Sequence, residues 1–294
     1  MKKIIGCGTA LVTPFKKNFS VDYPAFRKLV QWQINSNINF LVPLGTTGEA
    51  PCLTDEEKFK LLEIAVEEAN GKIPIVAGAG SNCTQHVIHN IRLLEQTGIE
   101  AFLIATPYYN KPTQAGLYNH YKTIAAETDK PIIMYNVPGR TCVNMNAETC
   151  LKLAEIPNII ATKEASSNYA QISEIIRNAP KDFVVLSGND DETLPLMATG
   201  AQGVISVASN LFPKEMTQLV TYLLQDKISA ARKLHHSLAP VFKNCFIETN
   251  PIPVKAGLYK MQLIANVLRP PLYPATENTL KIMTEIVRKI WVRN

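Results

Sequence analysis

The sequence predicts an α/β fold, a closed (β/α)8 TIM barrel followed by a C-terminal helical appendage. Eight short apolar runs of strand length are bounded by turn residues, and helical segments lie between them. Each run is almost continuously apolar, as in parallel strands that are buried on both faces. Eight such units within roughly 225 residues match the length of a barrel better than that of an open doubly wound sheet. No glycine-rich dinucleotide fingerprint follows the first strand, which weakens the open-sheet alternative further.

The predicted strands follow one another along the chain, and each ends in a segment rich in turn residues. They lie in IIGCGTALVTPF (4–15), INFLVPLGTTGE (38–49), IPIVAGAGS (73–81), AFLIATPYYN (101–110), PIIMYNVPGRT (131–141), NIIATKEAS (158–166), FVVLSGND (183–190) and GVISVASN (203–210).

Helical patterns fill the intervals and continue after the last strand. In LTDEEKFKLLEIAVEEANG, Thr54 and Glu57 form a capping box and Gly71 supplies a stop signal. After residue 226 only helical patterns occur, in DKISAARKLHHSLAPVFKNCF, PIPVKAGLYKMQLI and PATENTLKIMTEIVRKIWVRN. We therefore expect a catalytic barrel over 1–226 and a C-terminal helical domain over 227–294.

Composition and charge exclude several classes of protein. The chain has 294 residues and a formal net charge of +5, with lysines and arginines scattered along its length and no run of five or six like charges. No apolar stretch approaches the ~18 residues of a transmembrane helix, and the N-terminal apolar segment is too interrupted for a signal peptide. We therefore expect a cytoplasmic protein with no nucleic-acid or membrane partner, whose six singly spaced cysteines are reduced, buried thiols.

The sixth predicted strand is apolar until it reaches Lys163, at the place where barrel enzymes carry their catalytic groups. A lysine at the rim of a dry barrel loses the hydration of its charged form, so its pKa should fall and part of it should be a free amine at neutral pH. Such an amine attacks ketones and converts a 2-oxo acid into an enamine nucleophile. The alternative is a structural lysine paired with Glu164 or with another carboxylate.

Other strand ends offer the groups that this chemistry requires. Tyr135 and Thr47 carry hydroxyls that donate and accept protons. Arg140 offers a planar fork suited to one carboxylate, and the backbone N–H groups around GTTGE can bind another. Each also has an ordinary structural interpretation, as a core tyrosine, a surface arginine or a turn.

Together these motifs resemble the dihydrodipicolinate synthase family of pyruvate-dependent Schiff-base lyases, over essentially the whole chain. The resemblance rests on ALVTPF, GTTGEAPCLTDEE, VAGAGSN, TPYYNKPTQAGLYNHY, MYNVPGRT, IIATKEAS, LSGND and GVISVASN, in the order and spacing of the family. It implies condensation of pyruvate with L-aspartate 4-semialdehyde to 4-hydroxy-tetrahydrodipicolinate, the first committed step of diaminopimelate and lysine biosynthesis. It also implies no cofactor, since pyruvate itself forms the covalent Schiff base.

The resemblance implies roles for individual residues. Lys163 matches the Schiff-base lysine, and Tyr135 matches the centre of a proton relay with Thr47 and Tyr109. In the family the residue matching Tyr109 reaches a neighbouring subunit's site, which requires at least a dimer, and a homotetramer built as a dimer of dimers is the norm. Backbone amides of the threonine pair hold the pyruvate carboxylate, and the arginine orients the semialdehyde carboxylate. The expected substrate-binding residues are Thr46, Thr47, Arg140, Gly188 and Ile205.

A sister enzyme on the same barrel is the alternative, either an N-acetylneuraminate lyase or a 2-keto-3-deoxy sugar-acid aldolase. The sialic-acid lyases usually carry Ser-Thr in place of Thr46 and Thr47, and both kinds of enzyme usually lack an arginine at the place of Arg140. Both features favour the synthase. A non-catalytic barrel that only binds a 2-oxo acid would not require the amine of Lys163.

Feedback-inhibited members of the family bind L-lysine in a cleft at the subunit interface. Here Asp55 and Lys58 replace the histidines of the inhibited bacterial pattern, and His86 replaces its glutamate. Losing that carboxylate removes a charge-assisted hydrogen bond worth about 1.5–3 kcal/mol, so we expect weak or absent inhibition by L-lysine. The residues that correspond to this possible allosteric cleft are Ala50, Pro51, Asp55, Lys58, Asn82, His86 and Tyr108.

Two local features carry separate expectations. Cys142 stands where the family usually has glycine, which leaves the shape of the loop after Arg140 undecided. His86 and His89 have the spacing of two metal ligands on a helix, but no third ligand is evident in the sequence. We expect a solvated helix face there and no metal.

Overall fold

Eight parallel strands form the centre of the computed structural model, which describes residues 4–291. The hydrogen-bonded order of the strands is β2-β1-β8-β7-β6-β5-β4-β3, and one bridge between Leu41 and Ile75 brings β2 beside β3. The predicted (β/α)8 barrel is therefore confirmed. Its strands are β1 (Gly6–Ala10), β2 (Phe40–Val42), β3 (Val76–Gly78), β4 (Ala101–Ala105), β5 (Ile132–Asn136), β6 (Ile159–Glu164), β7 (Val184–Ser187) and β8 (Gly203–Ser206).

Helices lie between the strands and follow the last one. They are α1 (Tyr23–Asn35), α2 (Asp55–Ala69), α3 (Thr84–Leu94), α4 (Gln114–Ala125), α5 (Pro138–Thr141), α6 (Ala147–Ala154), α7 (Tyr169–Asn178), α8 (Thr193–Ala198), α9 (Pro213–Leu224), α10 (Ile228–Asn244), α11 (Ile252–Lys260) and α12 (Glu277–Trp291). No helix in the described part of the chain is long and apolar enough to cross a membrane.

Helix α2 begins at the predicted capping box. The Thr54 hydroxyl accepts from the Glu57 N–H at 3.3 Å, and the Glu57 carboxylate accepts from the Thr54 N–H at 3.0 Å. The helix ends at Ala69, and both Asn70, with φ of 43°, and Gly71, with φ of 66°, adopt left-handed conformations, so Gly71 lies just past the helix end as predicted. Asparagine tolerates this conformation better than most residues.

Successive strand residues belong to two different cores. In β5, Ile132 and Met134 pack in the layer between strands and helices, whereas Ile133 and Tyr135 pack inside the barrel. This alternation follows from the two-residue period of a strand. Because Tyr135 pairs in register with Lys163 on β6, the pattern directs both side chains into the barrel.

The C-terminal helices return to the end of the barrel at which the strands finish. Asn250, Lys255 and Arg269 all hydrogen-bond to residues between the end of β2 and the first turn of α2. The domain boundary between residues 226 and 227 stays a prediction. The last three residues of the chain lie outside the described part.

All six cysteines are unpaired. Three are buried as predicted, but Cys142 is exposed and Cys52 and Cys83 are half-buried. The expectation of six buried thiols is therefore wrong for half of them, because these three lie on loops or helix ends at the surface.

Candidate active site

A cavity of about 300 Å³ opens at the carboxyl ends of the barrel strands. Most of the residues predicted for catalysis or substrate binding line it, which confirms that the strand ends meet in one place. Its wall includes Thr46, Thr47, Tyr108, Tyr135, Arg140, Lys163, Gly188, Asn189, Val207, Phe246 and Asn250.

Lys163 lies near the end of β6 and is only 5% exposed. Its Nζ stands 4.1 Å from the centre of the Tyr135 ring. Within residues 4–291, no carboxylate oxygen lies at ion-pair distance from this amine. Burial lowers the pKa of Lys163 to about 7, with Asp190 raising it and Arg140 lowering it further. A large fraction of the side chain is therefore a free amine at neutral pH.

Glu164 does not pair with Lys163, because the next strand residue faces the helix layer. Its carboxylate is fully buried and accepts hydrogen bonds from Asn136 Nδ2 at 3.1 Å and from Ser166 Oγ at 2.7 Å. Burial raises the pKa of Glu164 to about 7. The structural alternative of a Lys163–Glu164 pair is therefore wrong.

The Tyr135 hydroxyl keeps its proton at neutral pH. Burial raises the pKa of Tyr135 to about 12, although the nearby charge of Arg140 lowers it in part. The ring is 9% exposed and lines the cavity beside Lys163. Tyr135 can thus donate a proton to an oxygen that leaves the amine-bound carbon and can take one back afterwards.

The GTTGE segment forms a short helical turn, Thr46–Gly48, at the mouth of the barrel. Thr46 is exposed and Thr47 is buried. The Thr47 hydroxyl oxygen accepts a hydrogen bond of 2.9 Å from Asn250 Nδ2, so its own proton is available for another acceptor. The first N–H groups of a helical turn have no partner within it, which suits them for a carboxylate.

Asn250 is a site residue that the sequence did not reveal. It lies 203 positions from Thr47 in an isolated Asn-Pro dipeptide after α10. No spacing rule connects such distant residues. Only the return of the C-terminal helices to the barrel brings this amide into the cavity.

Arg140 lies at the exposed rim of the cavity, and its Nη2 is 3.5 Å from the Asn250 carbonyl oxygen. The next loop turns at Cys142, which has φ of 57° and donates its N–H to the Pro138 carbonyl at 2.9 Å. Glycine adopts this left-handed conformation without penalty, whereas other residues pay roughly 1–2 kcal/mol. The cysteine therefore preserves the turn at a cost in backbone strain.

Gly188 lines the cavity, but Ile205 does not. A Cβ atom on Gly188 would lie 2.7 Å from the Cβ of Ala165, so a larger residue would push β7 away from β6. Ile205 packs inside the barrel with no exposed surface, and the cavity wall on this side is Val207. The predicted position of Ile205 is corrected for this reason: Ile205 lies within β8 and fills the barrel interior, whereas Val207 follows the end of β8 at Ser206 and reaches the cavity.

Asp190 is a second buried group that the sequence did not single out. One carboxylate oxygen accepts hydrogen bonds from the N–H groups of Val207 and Ala208, at 3.1 and 2.9 Å. The other has no hydrogen-bond partner within the described residues. Burial raises the pKa of Asp190, and the charge of Lys163 opposes that rise. This carboxyl is the acidic group that acts electrostatically on the amine.

The structure does not bring Tyr109 into the cavity of its own chain. Tyr109 is 83% exposed and Tyr108 is 39% exposed, and only Tyr108 lines the cavity. The predicted allosteric set is likewise divided. Ala50 and Pro51 line the same cavity as Tyr108, whereas the remaining members of the set do not.

The outer part of the predicted cleft is occupied by ion pairs. Asp55 accepts from Lys58 Nζ at 2.9 Å and lies 2.8 Å from His89 Nε2. His86 and Asn82 are exposed. Of the two histidines with metal-ligand spacing, His89 therefore faces a surface carboxylate, which suits the predicted solvated face.

The chain is similar to known proteins over nearly its whole length. The model of the dihydrodipicolinate synthetase family matches residues 3–290. The chain is 50% identical over 282 residues to 4-hydroxy-tetrahydrodipicolinate synthase of Koribacter versatilis, covering 95% of this chain and 94% of the relative. A crystal structure of dihydrodipicolinate synthase from Thermotoga maritima superposes with a TM-score of 0.96 at 43% identity, covering 98% and 99% of the two chains. The chloride-inhibited enzyme from Acinetobacter baumannii, complexed with pyruvate, superposes with a TM-score of 0.96 at 39% identity, covering 99% and 100%.

Proposed function

Since the chain belongs to the dihydrodipicolinate synthetase family, we propose that its reaction, the condensation of pyruvate with L-aspartate 4-semialdehyde, runs through a Schiff base on Lys163. The observation that carries this proposal is a buried lysine at a strand end in the cavity and beside a buried tyrosine, with no carboxylate among the described residues in contact with its amine. The reaction needs no added cofactor, because the lysine amine itself activates pyruvate.

The steps follow from the chemistry of a free amine. Lys163 Nζ attacks the C2 carbonyl carbon of pyruvate, and the carbonyl oxygen leaves as water, which gives a protonated imine. Loss of a proton from the methyl carbon then forms an enamine, with the imine nitrogen accepting the electron pair. The enamine carbon attacks the aldehyde carbon of the semialdehyde and forms the new carbon–carbon bond, the aldehyde oxygen takes up a proton to become a hydroxyl, and the imine on Lys163 is regenerated. The amino group that came with the semialdehyde then attacks the imine carbon, and the bond from that carbon to Lys163 Nζ breaks, which closes the ring and frees the lysine.

Each step moves a proton, and Tyr135 is the group that we assign to this task. Its phenol is protonated at neutral pH and is adjacent to the amine. Thr47 supports it as a further hydroxyl in the same cavity, fixed by Asn250. Tyr109 is assigned to the same relay in a neighbouring subunit, which is consistent with its 83% exposure in its own chain.

Two anion-binding places complete the proposal. The N–H groups of the Thr46–Gly48 turn face the carboxylate of pyruvate, and Arg140 at the rim takes the carboxylate of the semialdehyde. This arrangement explains why the arginine is exposed while the lysine is buried. The first substrate binds deep in the barrel, and the second arrives after it from solvent.

We also propose a homotetramer formed as a dimer of dimers, and a cytoplasmic location. The exposed aromatic side chains of Tyr108 and Tyr109 support a subunit interface at this edge of the cavity. Six unpaired cysteines are typical of a reducing compartment. Sedimentation of the purified protein would test the assembly directly.

The deciding experiment measures pyruvate-dependent consumption of L-aspartate 4-semialdehyde by the purified protein, together with borohydride trapping of pyruvate. Turnover with the trapped adduct on the peptide that contains Lys163 is the expected result. Trapping without turnover would indicate that the protein is a sister aldolase with a different second substrate. No adduct on Lys163 would contradict the Schiff-base assignment.

A further inference from the structure

A second buried lysine lies outside the reacting centre and is bonded to the loop that carries Thr46 and Thr47. Lys255 on α11 and Glu49 at the end of GTTGE form an ion pair of 2.6 Å, and neither side chain has any exposed surface. The residues are 206 positions apart in the chain. The pair thus joins the C-terminal helices to the mouth of the barrel.

Glu49 is held at both carboxylate oxygens. One oxygen contacts Lys255 Nζ, and the other accepts the backbone N–H of Arg269 at 3.1 Å. The Glu49 backbone has φ of 53°, a left-handed conformation that costs free energy in any residue with a side chain. Such a conformation persists where surrounding contacts fix it, and here those contacts come from the C-terminal segment.

Lys255 also acts on this loop through Thr13, a residue of the segment that follows β1. Its Nζ donates to the Thr13 carbonyl oxygen at 2.9 Å, and Thr13 Oγ1 donates to the Gly48 carbonyl oxygen at 2.7 Å. The ammonium therefore fixes Gly48 through Thr13 and fixes Glu49 directly. These are the two residues that come after Thr47 in the chain.

The energetics indicate that this pair has a role in geometry more than in stability. Removing two charges from water costs free energy that their mutual attraction barely repays, and apolar residues of similar volume are often as stable in such places. A buried pair does, however, fix the distance and direction between the two elements that it joins. The elements joined here are the turn at the pyruvate site and helix α11.

We propose that Lys255 and Glu49 are positioning residues for the reaction, because together they hold the backbone amides of Thr46 and Thr47 in the orientation that binds the carboxylate of the 2-oxo acid substrate. This inference rests on the proposed function of the cavity. It assigns to the C-terminal helices a task in substrate binding, carried out through the loop and without contact to the substrate.

The test is the double variant Glu49→Gln with Lys255→Met, which removes both charges together and keeps similar side-chain volumes. We expect the pyruvate concentration for half-maximal borohydride trapping, and KM for pyruvate, to rise about tenfold, as when a charge-assisted hydrogen bond is misaligned. KM for the semialdehyde should change less than twofold, because Arg140 lies on another loop. A purely structural pair would lower the melting temperature and leave both KM values unchanged.

Leu219→Ala is the matched control for loss of stability. Leu219 is fully buried on α9 and does not line the cavity. This variant should lower the melting temperature and keep the wild-type half-trapping concentration of pyruvate. An unchanged half-trapping concentration in the double variant would overturn the proposal.

Thr13→Val decides the question if the double variant does not fold. It preserves the branched shape and removes only the hydrogen bond to Gly48. A rise of about threefold in the half-trapping concentration supports the proposal, in line with the loss of one hydrogen bond of the loop, and no rise overturns it. Trapping needs pyruvate alone. If the wild-type protein traps pyruvate but does not consume the semialdehyde, the proposed second substrate is contradicted, and the inference about Lys255 and Glu49 can still be tested by trapping.

Discussion

Lys163 and Lys255 are two buried lysines with similar surroundings and different partners. Each side-chain nitrogen lies over an aromatic ring, 4.1 Å from the centre of Tyr135 for Lys163 Nζ and 4.4 Å from that of Phe15 for Lys255 Nζ. Lys255 has Glu49 at 2.6 Å, whereas no carboxylate within the described residues lies at ion-pair distance from Lys163. Lys163 is therefore available to react, whereas Lys255 is held in an ion pair with Glu49.

The comparison shows that burial lowers the pKa of both lysines, and that the contacting partner decides whether the amine stays charged. For Lys163, burial lowers the pKa, the charge of Asp190 opposes this without contact and the charge of Arg140 adds to it, with a net pKa of about 7. For Lys255, Glu49 opposes the effect of burial through its charge and its hydrogen bond. The 2.6 Å contact and the Thr13 carbonyl favour an ammonium at Lys255. A carboxylate in contact with a buried lysine keeps the amine charged. Without such a contact, the buried amine can lose its proton and act as a nucleophile.

Lys163→Met should have the largest effect, a loss of turnover of at least ~10³-fold, as for the removal of a covalent nucleophile. Borohydride trapping of pyruvate should be abolished. Because the variant replaces an amine that has no ion-pair partner within residues 4–291 by an apolar group, unfolding in urea should show equal or greater stability. Lys255→Met serves as the paired control and should still trap pyruvate on Lys163 at saturating concentration. Trapping in Lys163→Met itself would show that another amine is the nucleophile.

Tyr135→Phe makes the ring beside Lys163 resemble the ring beside Lys255. Removing the hydroxyl should lower kcat by about 10²–10³-fold, within the range of general acid–base contributions. Stopped-flow or steady-state assays at saturating substrates would measure it. Tyr121→Phe is the control, because the buried Tyr121 donates to the Ile104 carbonyl at 2.8 Å away from the cavity. Equal loss in the two variants would contradict the relay.

Lys255→Met alone should lower the free energy of unfolding, whereas Lys163→Met should not. It leaves the Glu49 carboxylate buried without its cation, which costs about 3–5 kcal/mol. The double change of Lys255→Met and Glu49→Gln should cost less than the single one. Urea unfolding curves of the wild type, both single variants and the double variant give the coupling energy. A coupling near zero would contradict the structural contrast between the two lysines.

The pH dependence of trapping should report Lys163. Below pH 7 its amine is protonated, so the initial trapping rate should fall about tenfold per pH unit and level off above pH 8. The folded pKa lies below the unfolded value, so the unfolded chain binds more protons between about pH 7 and 10.4. Stability relative to Lys163→Met should therefore rise with pH across that window.

Glu164→Gln separates this titration from that of its neighbour. The pKa of Glu164 is also raised to about 7, but its side chain faces the helix layer. Because the folded pKa of this carboxyl is raised, its contribution to stability falls as pH rises from about 4.5 to 7. The contribution of Lys163 instead rises with pH, and it does so at higher pH. The trapping profile of this variant should match that of the wild type. A shifted profile would assign the titration to Glu164.

The smallest effect is expected from free L-lysine as an inhibitor. The half-buried Lys58 is already paired with Asp55, and His89 contacts the same carboxylate. Asp55 is therefore not free to bind the ammonium of an L-lysine molecule in the outer cleft. Inhibition should be weak or absent, with half-inhibition above about 1 mM, as a lost charge-assisted contact predicts. Initial rates with 0 to 10 mM L-lysine, at roughly KM levels of both substrates, would measure it. Half-inhibition below about 1 mM would contradict the prediction.

Much of the fold was predictable because apolar runs of strand length and helical periodicity are local signals. The capping box of Thr54 and Glu57 and the direction of Lys163 and Glu164 to opposite faces follow from rules that span a few residues. Ile205 shows the limit of such rules. The parity of the strand gives its face correctly, but its depth along the barrel depends on the register of β8 against β1 and β7.

The sequence by itself determined the barrel, the strand end at which Lys163 lies and the residues that resemble a known family, since each depends on short patterns along the chain. Only the tertiary structure decided which lysine is paired. Glu49 and Lys255 are separated by 206 positions, as Thr47 and Asn250 are by 203. The free energy that keeps one amine charged and leaves another neutral depends on distances of a few ångströms in a medium of low dielectric constant. Such distances are fixed by the packing of the C-terminal helices against the barrel.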